Sequence, residues 1–200
     1  MSSMPETVAL RLARASDLEL ISRLELELFG ADAWSRELVA AELAAPWTEY
    51  FVAVNVPASA DAAGPGAADS GDTGSGDTGS GATALASPAS AASAPEQLLG
   101  YAGVSVPARG VPADIQTIAV VPEARRRGIG RTLLLALAEA GQRRGAAEAL
   151  LEVRADNPGA QALYRSMGFE QIAIRPRYYQ PDDVDAIVMR AALPLSGGAP

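Results

Sequence analysis

The chain has 200 residues, of which 48% are hydrophobic and 20% charged, a composition typical of one globular domain. Its net charge of −8 disfavours broad nucleic-acid binding and is compatible with a cationic partner. The absence of Cys, His and Lys excludes thiolate nucleophiles, His-dependent triads, the usual zinc sites, Schiff bases and a phosphate-loop lysine. Proton transfer must therefore rest on carboxylates, Tyr, Ser, Thr, water or the backbone.

Neither a membrane span nor a secretion signal is evident. No apolar run approaches the roughly 18–20 residues that a transmembrane helix needs. Residues 1–6 lack the basic start and the apolar stretch that a signal peptide would have. We therefore predict a cytoplasmic protein without membrane association. We also predict a single domain over residues 8–193, with residues 1–7 and 194–200 as flexible ends.

A low-complexity segment interrupts this domain at residues 57–95. It consists almost entirely of Ala, Gly, Ser, Pro, Thr and Asp, and residues 71–75 are repeated as residues 76–80. Such a composition buries too little apolar surface to offset an ordering cost of roughly 1–2 kcal/mol per residue. We predict a disordered insertion between two strands. Calcium binding by its Asp residues is the alternative, and scattered carboxylates in a flexible loop argue against it.

The first part of the chain is predicted to contain one strand and two helices. Residues 8–14 have the pattern of a strand. Ser16 is the predicted N-cap of the first helix, and Glu19 would complete a capping box. A second, shorter helix begins after Ser35 and runs to Leu43. The apolar stripe of the first helix comprises Leu18, Ile21, Leu24 and Leu28.

The remaining elements alternate between strands and helices. Predicted strands lie at residues 50–56 and 98–106, which would form a hairpin around the insertion, and at 114–121, 149–154, 169–175 and 184–190. A helix begins at Gly128 and buries one face, made of Ile129, Leu133, Leu137 and Gly141. A short helix covers residues 158–167. The order β-α-α-β-β-β-α-β-α-β-β predicts an α/β domain with a mixed sheet.

Residues 125–130, Arg-Arg-Arg-Gly-Ile-Gly, connect a predicted strand to a predicted helix. Glycines at such a turn allow successive backbone N–H groups to point at one anion, and the helix N-terminus adds partial positive charge. Neighbouring arginines favour a pyrophosphate or another polyanion. The simpler alternative is a glycine turn beside a solvated arginine run. A Walker loop is excluded without Lys, and Leu133 occupies the position where a dinucleotide fingerprint needs a small residue.

A strand and a short helix follow, with one acidic and one phenolic residue that need explanation. Asn157 as N-cap and Pro158 begin the helix, and Gly168 ends it, so one interpretation is a well-capped structural helix. Glu152 is a carboxylate in an otherwise apolar strand. It is either solvated or partly buried, and partial burial would raise its pKa toward that of a usable base. Tyr164 either faces a ligand or packs in the core.

Together the motifs R-R-x-G-x-G and E-V-R-x-x-N-x-x-A-x-x-x-Y-x-x-x-G-F resemble the GNAT superfamily of acetyltransferases. Residues 175–179 and 185–189, with Trp34 and Ser35, resemble its RimI-type branch, the ribosomal-protein-alanine N-acetyltransferases. The resemblance covers residues 8–193 apart from the insertion. It implies a GNAT-like mixed central β-sheet flanked by helices, and acetyl-CoA as the co-substrate.

The resemblance also implies roles for individual residues. Glu152 is implied as the general base and Tyr164 as the general acid toward the leaving thiolate. Three aromatic residues, Trp34, Tyr178 and Tyr179, are implied near the peptide acceptor, although an exposed aromatic pair can equally be hairpin packing. Contacts to acetyl-CoA are implied for Ile118, Ala119, Val120, Arg125, Arg126, Arg127, Gly128, Ile129, Gly130, Arg131 and Asn157.

The implied reaction is direct acetyl transfer to the α-amino group of an N-terminal alanine of a ribosomal protein. It requires no metal and no covalent enzyme intermediate, which suits a chain without Cys, His and Lys. We expect a monomer or weak dimer without direct nucleic-acid contact. Asp182 and Asp183 either lie in a solvated turn or attract a basic peptide. The alternatives are another acceptor, such as other protein N-termini, a lysine side chain or a small amine, and an acyl-CoA-binding module without turnover.

Overall fold

A computed structural model describes residues 7–56 and 96–196. The predicted insertion and the outermost residues of both predicted flexible ends lie outside the described residues. The elements follow the predicted order: β1 (Thr7–Leu12), α1 (Leu18–Phe29), α2 (Arg36–Ala44), β2 (Thr48–Val56), β3 (Gln97–Ser105), β4 (Ala113–Val120), α3 (Ile129–Arg143), β5 (Glu148–Arg154), α4 (Pro158–Ser166), β6 (Glu170–Tyr179) and β7 (Val184–Ala192). In these ranges no helix is long and apolar enough to cross a membrane.

The described strands form a seven-stranded sheet in the order β1-β2-β3-β4-β5-β7-β6. Neighbouring strands are antiparallel, except that β4 and β5 are parallel. β2 and β3 pair with each other between Thr48↔Ser105 and Asn55↔Gln97, which confirms the predicted hairpin. The predicted α/β class with a mixed sheet is also confirmed.

β4 and β5 are paired only at their beginnings. Ile115 and Leu151 are the last paired residues, although β4 continues to Val120 and β5 to Arg154. The register between β3 and β4 shifts at the same level, where Gln116 is an extra residue on β4. Such a bulge bends a strand and increases its twist. The two strands therefore diverge, and we call the opening between them the β4–β5 gap.

Helices cover both faces of the sheet. α3 and α4 lie on one face, where Leu133, Leu137 and Tyr164 belong to a large buried cluster. α1 and α2 cover the other face, where Ile21 and Val39 belong to a second cluster. The strands supply both clusters because successive side chains of a strand point to opposite faces. The predicted apolar faces of α1 and α3 are confirmed as packing faces.

Two predicted helix caps are confirmed. Each joins residues close together in the chain, which is why the sequence could predict them. The Ser35 hydroxyl accepts the Leu38 N–H at 3.2 Å, and the Asn157 side chain accepts the Ala160 N–H at 3.1 Å. Gly168 follows the end of α4 with φ +90°, in the left-handed region that favours glycine.

The predicted cap at Ser16 is wrong. Asp17, not Ser16, precedes α1 at the N-cap position, and its side chain is 6% exposed. Two N–H groups of Arg11 donate to the Asp17 carboxylate at 2.8 and 2.9 Å. These charge-assisted hydrogen bonds outweigh those that a serine hydroxyl could form. Glu19 pairs with Arg36 at the start of α2 instead of completing a capping box.

Candidate functional site

The loop between β4 and α3 contains two residues with left-handed backbone conformations and has open space beside its backbone at Gly128. Arg126 and Gly128 both adopt left-handed conformations, with φ +63° and +81°, and Gly128 is the N-cap of α3. A Cβ built on Gly128 would meet no atom within 4 Å. The N–H groups of Ile129 and Gly130 lie in the first helical turn, where no intrahelical acceptor exists. This geometry can receive an anion.

Arginine side chains surround this loop. Arg125, Arg126 and Arg127 are all exposed. The Arg125 Nε donates to the Val120 carbonyl oxygen at 3.1 Å, which holds that side chain beside the end of β4. The Arg131 guanidinium lies 2.7 Å from the Met167 sulfur. Ile129 is 4% exposed, so only its backbone is available to a ligand.

One edge of β4 faces the β4–β5 gap. The Val121 N–H donates to the Leu99 carbonyl of β3 at 2.9 Å. Because N–H groups alternate along an antiparallel strand, the N–H of Ala119 also points toward β3. The N–H groups of Ile118 and Val120 point the other way, into the gap. These two groups can therefore bind a ligand there, whereas Ala119 presents neither its N–H nor its buried side chain.

α4 lies beside the loop. A Cβ built on Gly130 would come within 3.2 Å of the Leu163 side chain, so a small residue is needed where α3 and α4 approach. Asn157 begins α4, and Tyr164 follows two turns later. The loop, the Asn157 cap and Tyr164 are thus carried by two helices in direct contact on one face of the sheet.

Glu152 lies on the opposite face. Leu151 and Val153 point into the cluster beneath α3 and α4, so alternation directs Glu152 toward the α1–α2 face. Its side chain is 27% exposed, and its Oε1 lies 3.1 Å from an Nη of Arg175. Of the two environments considered from the sequence, the structure shows the partly buried one, with an ion pair.

Tyr164 lies on the face of the sheet that α3 and α4 cover. The residue is 8% exposed, and its ring centroid lies 5.9 Å from that of Phe169. Burial raises the pKa of the Tyr164 phenol, and the nearby Tyr179 contributes to this rise. Burial also raises the pKa of Tyr179 to about 12, with contributions from Tyr178 and Glu152. Tyr179 is thus within electrostatic range of both Glu152 and Tyr164.

The predicted acceptor residues occupy two places. Tyr178 is 49% exposed and makes an edge-to-face contact with Tyr179 at 5.2 Å. The Arg175 guanidinium, which pairs with Glu152, also lies 5.4 Å from the Tyr178 ring centroid. The two tyrosines therefore lie beside Glu152. Trp34 packs against the second core cluster between α1 and α2, in the loop that leads into α2.

Several site residues were missed in the sequence. Arg154 stands two residues after Glu152, on the same face of β5, and strand alternation could have revealed it. No local signal connects Arg175 to Glu152, because β7 separates their strands in the sheet. Desolvation, and then the negative charge of Glu152, raise the pKa of Asp114. The carboxylates of Asp114 and Glu152 therefore lie close enough to influence each other.

The family model for the acetyltransferase (GNAT) family matches residues 80–169. This range includes β3, β4, the loop before α3, α3, and β5 and α4, which carry Glu152 and Tyr164. This part of the chain is therefore similar to the GNAT family, which is the family that the sequence motifs resemble.

Among curated proteins, the chain is similar to the N-alpha-acetyltransferase RimI of Mycobacterium tuberculosis, with 46% identity over 95 residues, covering 46% of this chain and 58% of the relative. It is 48% identical over 86 residues to the ribosomal protein bS18-alanine N-acetyltransferase of Escherichia coli K12, covering 42% of this chain and 57% of the relative. An uncharacterised Mycobacterium leprae protein is 46% identical over 97 residues, covering 48% of this chain and 26% of that protein. The matched region thus spans less than two thirds of each of these relatives.

Solved structures extend the likeness across the described fold. The crystal structure of the Escherichia coli ribosomal-protein-S18-alanine N-acetyltransferase aligns with a TM-score of 0.64 at 25% identity, covering 97% of this chain and 99% of that one. Arabidopsis thaliana NAA60 in complex with acetyl-CoA aligns with a TM-score of 0.65 at 16% identity, covering 94% and 99%. The second likeness is one of fold alone.

Proposed function

We propose that this chain is an acetyl-CoA-dependent N-acetyltransferase whose acceptor is the N-terminal α-amino group of a ribosomal protein that begins with alanine. Such an acceptor implies a cytoplasmic enzyme. The observation that carries the proposal is the β4–β5 gap, which lies beside the β4–α3 loop and has Glu152 on one face of the sheet and the helix that carries Tyr164 on the other. The names of the RimI-type relatives support the choice of acceptor.

Binding of acetyl-CoA in the gap uses the free edge of β4. The loop N–H groups and arginines would hold the pyrophosphate. The N–H groups of Ile118 and Val120 would hydrogen-bond the pantetheine arm, and one of them would stabilise the oxyanion that develops on the thioester carbonyl. The Asn157 side-chain oxygen is used in the helix cap, so its amide N–H₂ is the part available to the co-substrate.

The acid and the base act on two different atoms. An α-ammonium group has a pKa near ~8, and the Glu152 carboxylate would accept one proton from it, directly or through water. The amine nitrogen then attacks the thioester carbon, and the carbon–sulfur bond breaks as the nitrogen loses its second proton to water and the amide forms. Tyr164 would donate its proton to the leaving sulfur. Arg175 is half exposed, and an entering ammonium group, having the same charge, would replace it beside Glu152.

Mass spectrometry of acetylated peptides tests the acceptor. A peptide that begins with Ala and contains an internal Lys is incubated with acetyl-CoA and the protein, beside the same peptide with a blocked N-terminus. We expect one acetyl group on the α-amine of the first peptide and none on the second. Acetylation of the blocked peptide would indicate lysine as the acceptor, and modification of small amines alone would contradict a protein substrate.

Two substitutions test the assigned roles. Glu152→Gln is expected to lower kcat by ~100-fold or more while acetyl-CoA affinity is retained. Glu148→Gln is its matched control, because Glu148 lies on the same strand, is more exposed and pairs with Arg190 at 3.7 Å. Tyr164→Phe keeps the ring beside Phe169 and should slow departure of the thiolate. Wild-type rates in either active-site variant would remove that residue from the mechanism.

A further inference from the structure

Arg154 connects three separate loops at one end of the β4–β5 gap. It is the last residue of β5, and all of its side-chain nitrogens are engaged. Nη1 donates to Asp32 at 2.5 Å, Nε and Nη2 donate to Asp156 at 3.0 Å each, and Nη2 also donates to Asp182 at 3.0 Å. Its guanidinium carbon lies 5.2 Å from the centroid of the Tyr179 ring.

These partners come from different parts of the fold. Asp32 belongs to the turn between α1 and α2, two residues before Trp34. Asp182 belongs to the turn between β6 and β7. From the sequence, this turn was expected either to be solvated or to attract a basic peptide. Asp156 directly precedes the Asn157 cap. Arg154 is thus the common partner of three segments that border the Glu152 face of the gap.

The charge balance argues against a purely stabilising role. One guanidinium faces three carboxylates, and Asp156 and Asp182 are more than half exposed. Exposed ion pairs typically contribute little to stability, and the surplus negative charge is repulsive. The fork geometry of arginine, in contrast, fixes the relative positions of several carboxylates and of an aromatic ring at once. Without Arg154 the three carboxylates would repel one another and the loops would separate.

We propose that Arg154 is a positioning residue that holds the α1–α2 turn, the β6–β7 turn and the Tyr179 ring together as one wall of the acceptor site. This role rests on the proposed N-acetyltransferase function, and Arg154 acts without touching the reacting atoms. Its removal widens the acceptor side of the gap. The acetyl-CoA side keeps its geometry, because the Arg154 side chain makes no hydrogen bond to the β4 edge or the α3 loop, and the Asn157 N–H donates to the Arg154 backbone carbonyl, which a substitution retains.

Steady-state kinetics of Arg154→Gln and Arg154→Lys, with an Ala-initiated peptide as the acceptor, test this role. We expect the KM for the peptide to rise about tenfold in both variants, within the range that misplacement of a binding wall produces. The KM for acetyl-CoA should be unchanged, and kcat should change much less than the peptide KM. Lysine should not rescue, because a single ammonium group cannot reproduce the fork. Arg190→Gln, which removes a partner of Glu148, is the control and should leave all three parameters unchanged.

Hydrogen exchange gives a readout that does not require turnover. In Arg154→Gln, the amides of residues 30–34 and of Gln180, Asp182 and Asp183 should exchange faster, and the amides of α3 should not. An unchanged peptide KM, or a rise in both KM values together with faster exchange throughout the fold, would overturn the positioning role. If the wild-type protein transfers no acetyl group, the proposed function fails. Unchanged exchange in these two turns would separately overturn the positioning role of Arg154.

Discussion

The substitution Gly128→Ala tests whether Gly128 is needed only for its left-handed backbone conformation or also for binding of the pyrophosphate. Gly128 has φ +81°, and an added Cβ would meet nothing within 4 Å. The cost to the free protein is therefore confined to the left-handed backbone, about 1–2 kcal/mol. In the complex, the added methyl group would stand at the N-terminus of α3, where we propose that the pyrophosphate lies. Loss of even one good hydrogen bond to a charged group, about 1.5–3 kcal/mol, corresponds to a tenfold weaker affinity or more.

Gly110→Ala is the matched control. Gly110 has φ +84°, an added Cβ there would also meet nothing within 4 Å, and the residue lies in the turn between β3 and β4, at the other end of β4 from the loop. Urea unfolding should show similar losses for the two variants. Isothermal titration with CoA should show weaker binding for Gly128→Ala alone. Equal CoA affinity in both variants and the wild type would refute the assignment of this loop to the pyrophosphate.

Three further predictions concern stability and can be measured by urea unfolding. Burial raises the pKa of Glu25 above its ordinary value of 4.5, so its neutral form stabilises the fold below pH 4.5 and this contribution is lost as pH rises through the raised pKa. Glu25→Gln should therefore gain stability relative to the wild type as pH rises, and a constant difference would contradict this. Hydrogen bonds from Arg11 lower the pKa of Asp17 below 3.8, so its contribution is present above that pH and is lost as pH falls through the lowered pKa. Asp17→Asn should lower the free energy of unfolding by about 1–3 kcal/mol at pH 7 and by less at acidic pH. Equal losses at the two pH values would show that the charge of Asp17 is not the cause. Asn157→Ala should cost about 1 kcal/mol, Asn157→Ser should restore most of it, and an unaffected alanine variant would mean that the cap is not stabilising.

The parts of the fold that were predicted correctly depend on short-range patterns. The caps at Ser35 and Asn157 involve residues three positions apart, and the apolar face of α3 follows helical periodicity. The error at Ser16 arose because the competing partner, Arg11, lies on the preceding strand. A capping motif describes only local hydrogen bonds, and it cannot anticipate a nearby carboxylate that gains a guanidinium partner.

The composition of the candidate site was predictable in part, but its geometry was not. Glu152 is recognisable in the sequence as a charged residue in an apolar strand, and the glycines of the loop are recognisable as a turn before a helix. The pairing of Glu152 with Arg175, however, depends on how β6 is placed beyond β7. The divergence of β4 from β5 depends on a register shift at Gln116. Neither property is encoded in the spacing of residues along one element.

The β4–β5 gap explains how residues on opposite faces of a sheet can serve one reaction. In a continuous sheet, the backbone hydrogen bonds between neighbouring strands would separate Glu152 from Tyr164. Here β4 and β5 stop pairing after Leu151, one residue before Glu152, so the sheet is open at the level of the proposed base. The same divergence frees the N–H groups of Ile118 and Val120 from strand pairing. The end of pairing between β4 and β5 therefore accounts for the exposed donor edge of β4, and it opens the sheet beside Glu152.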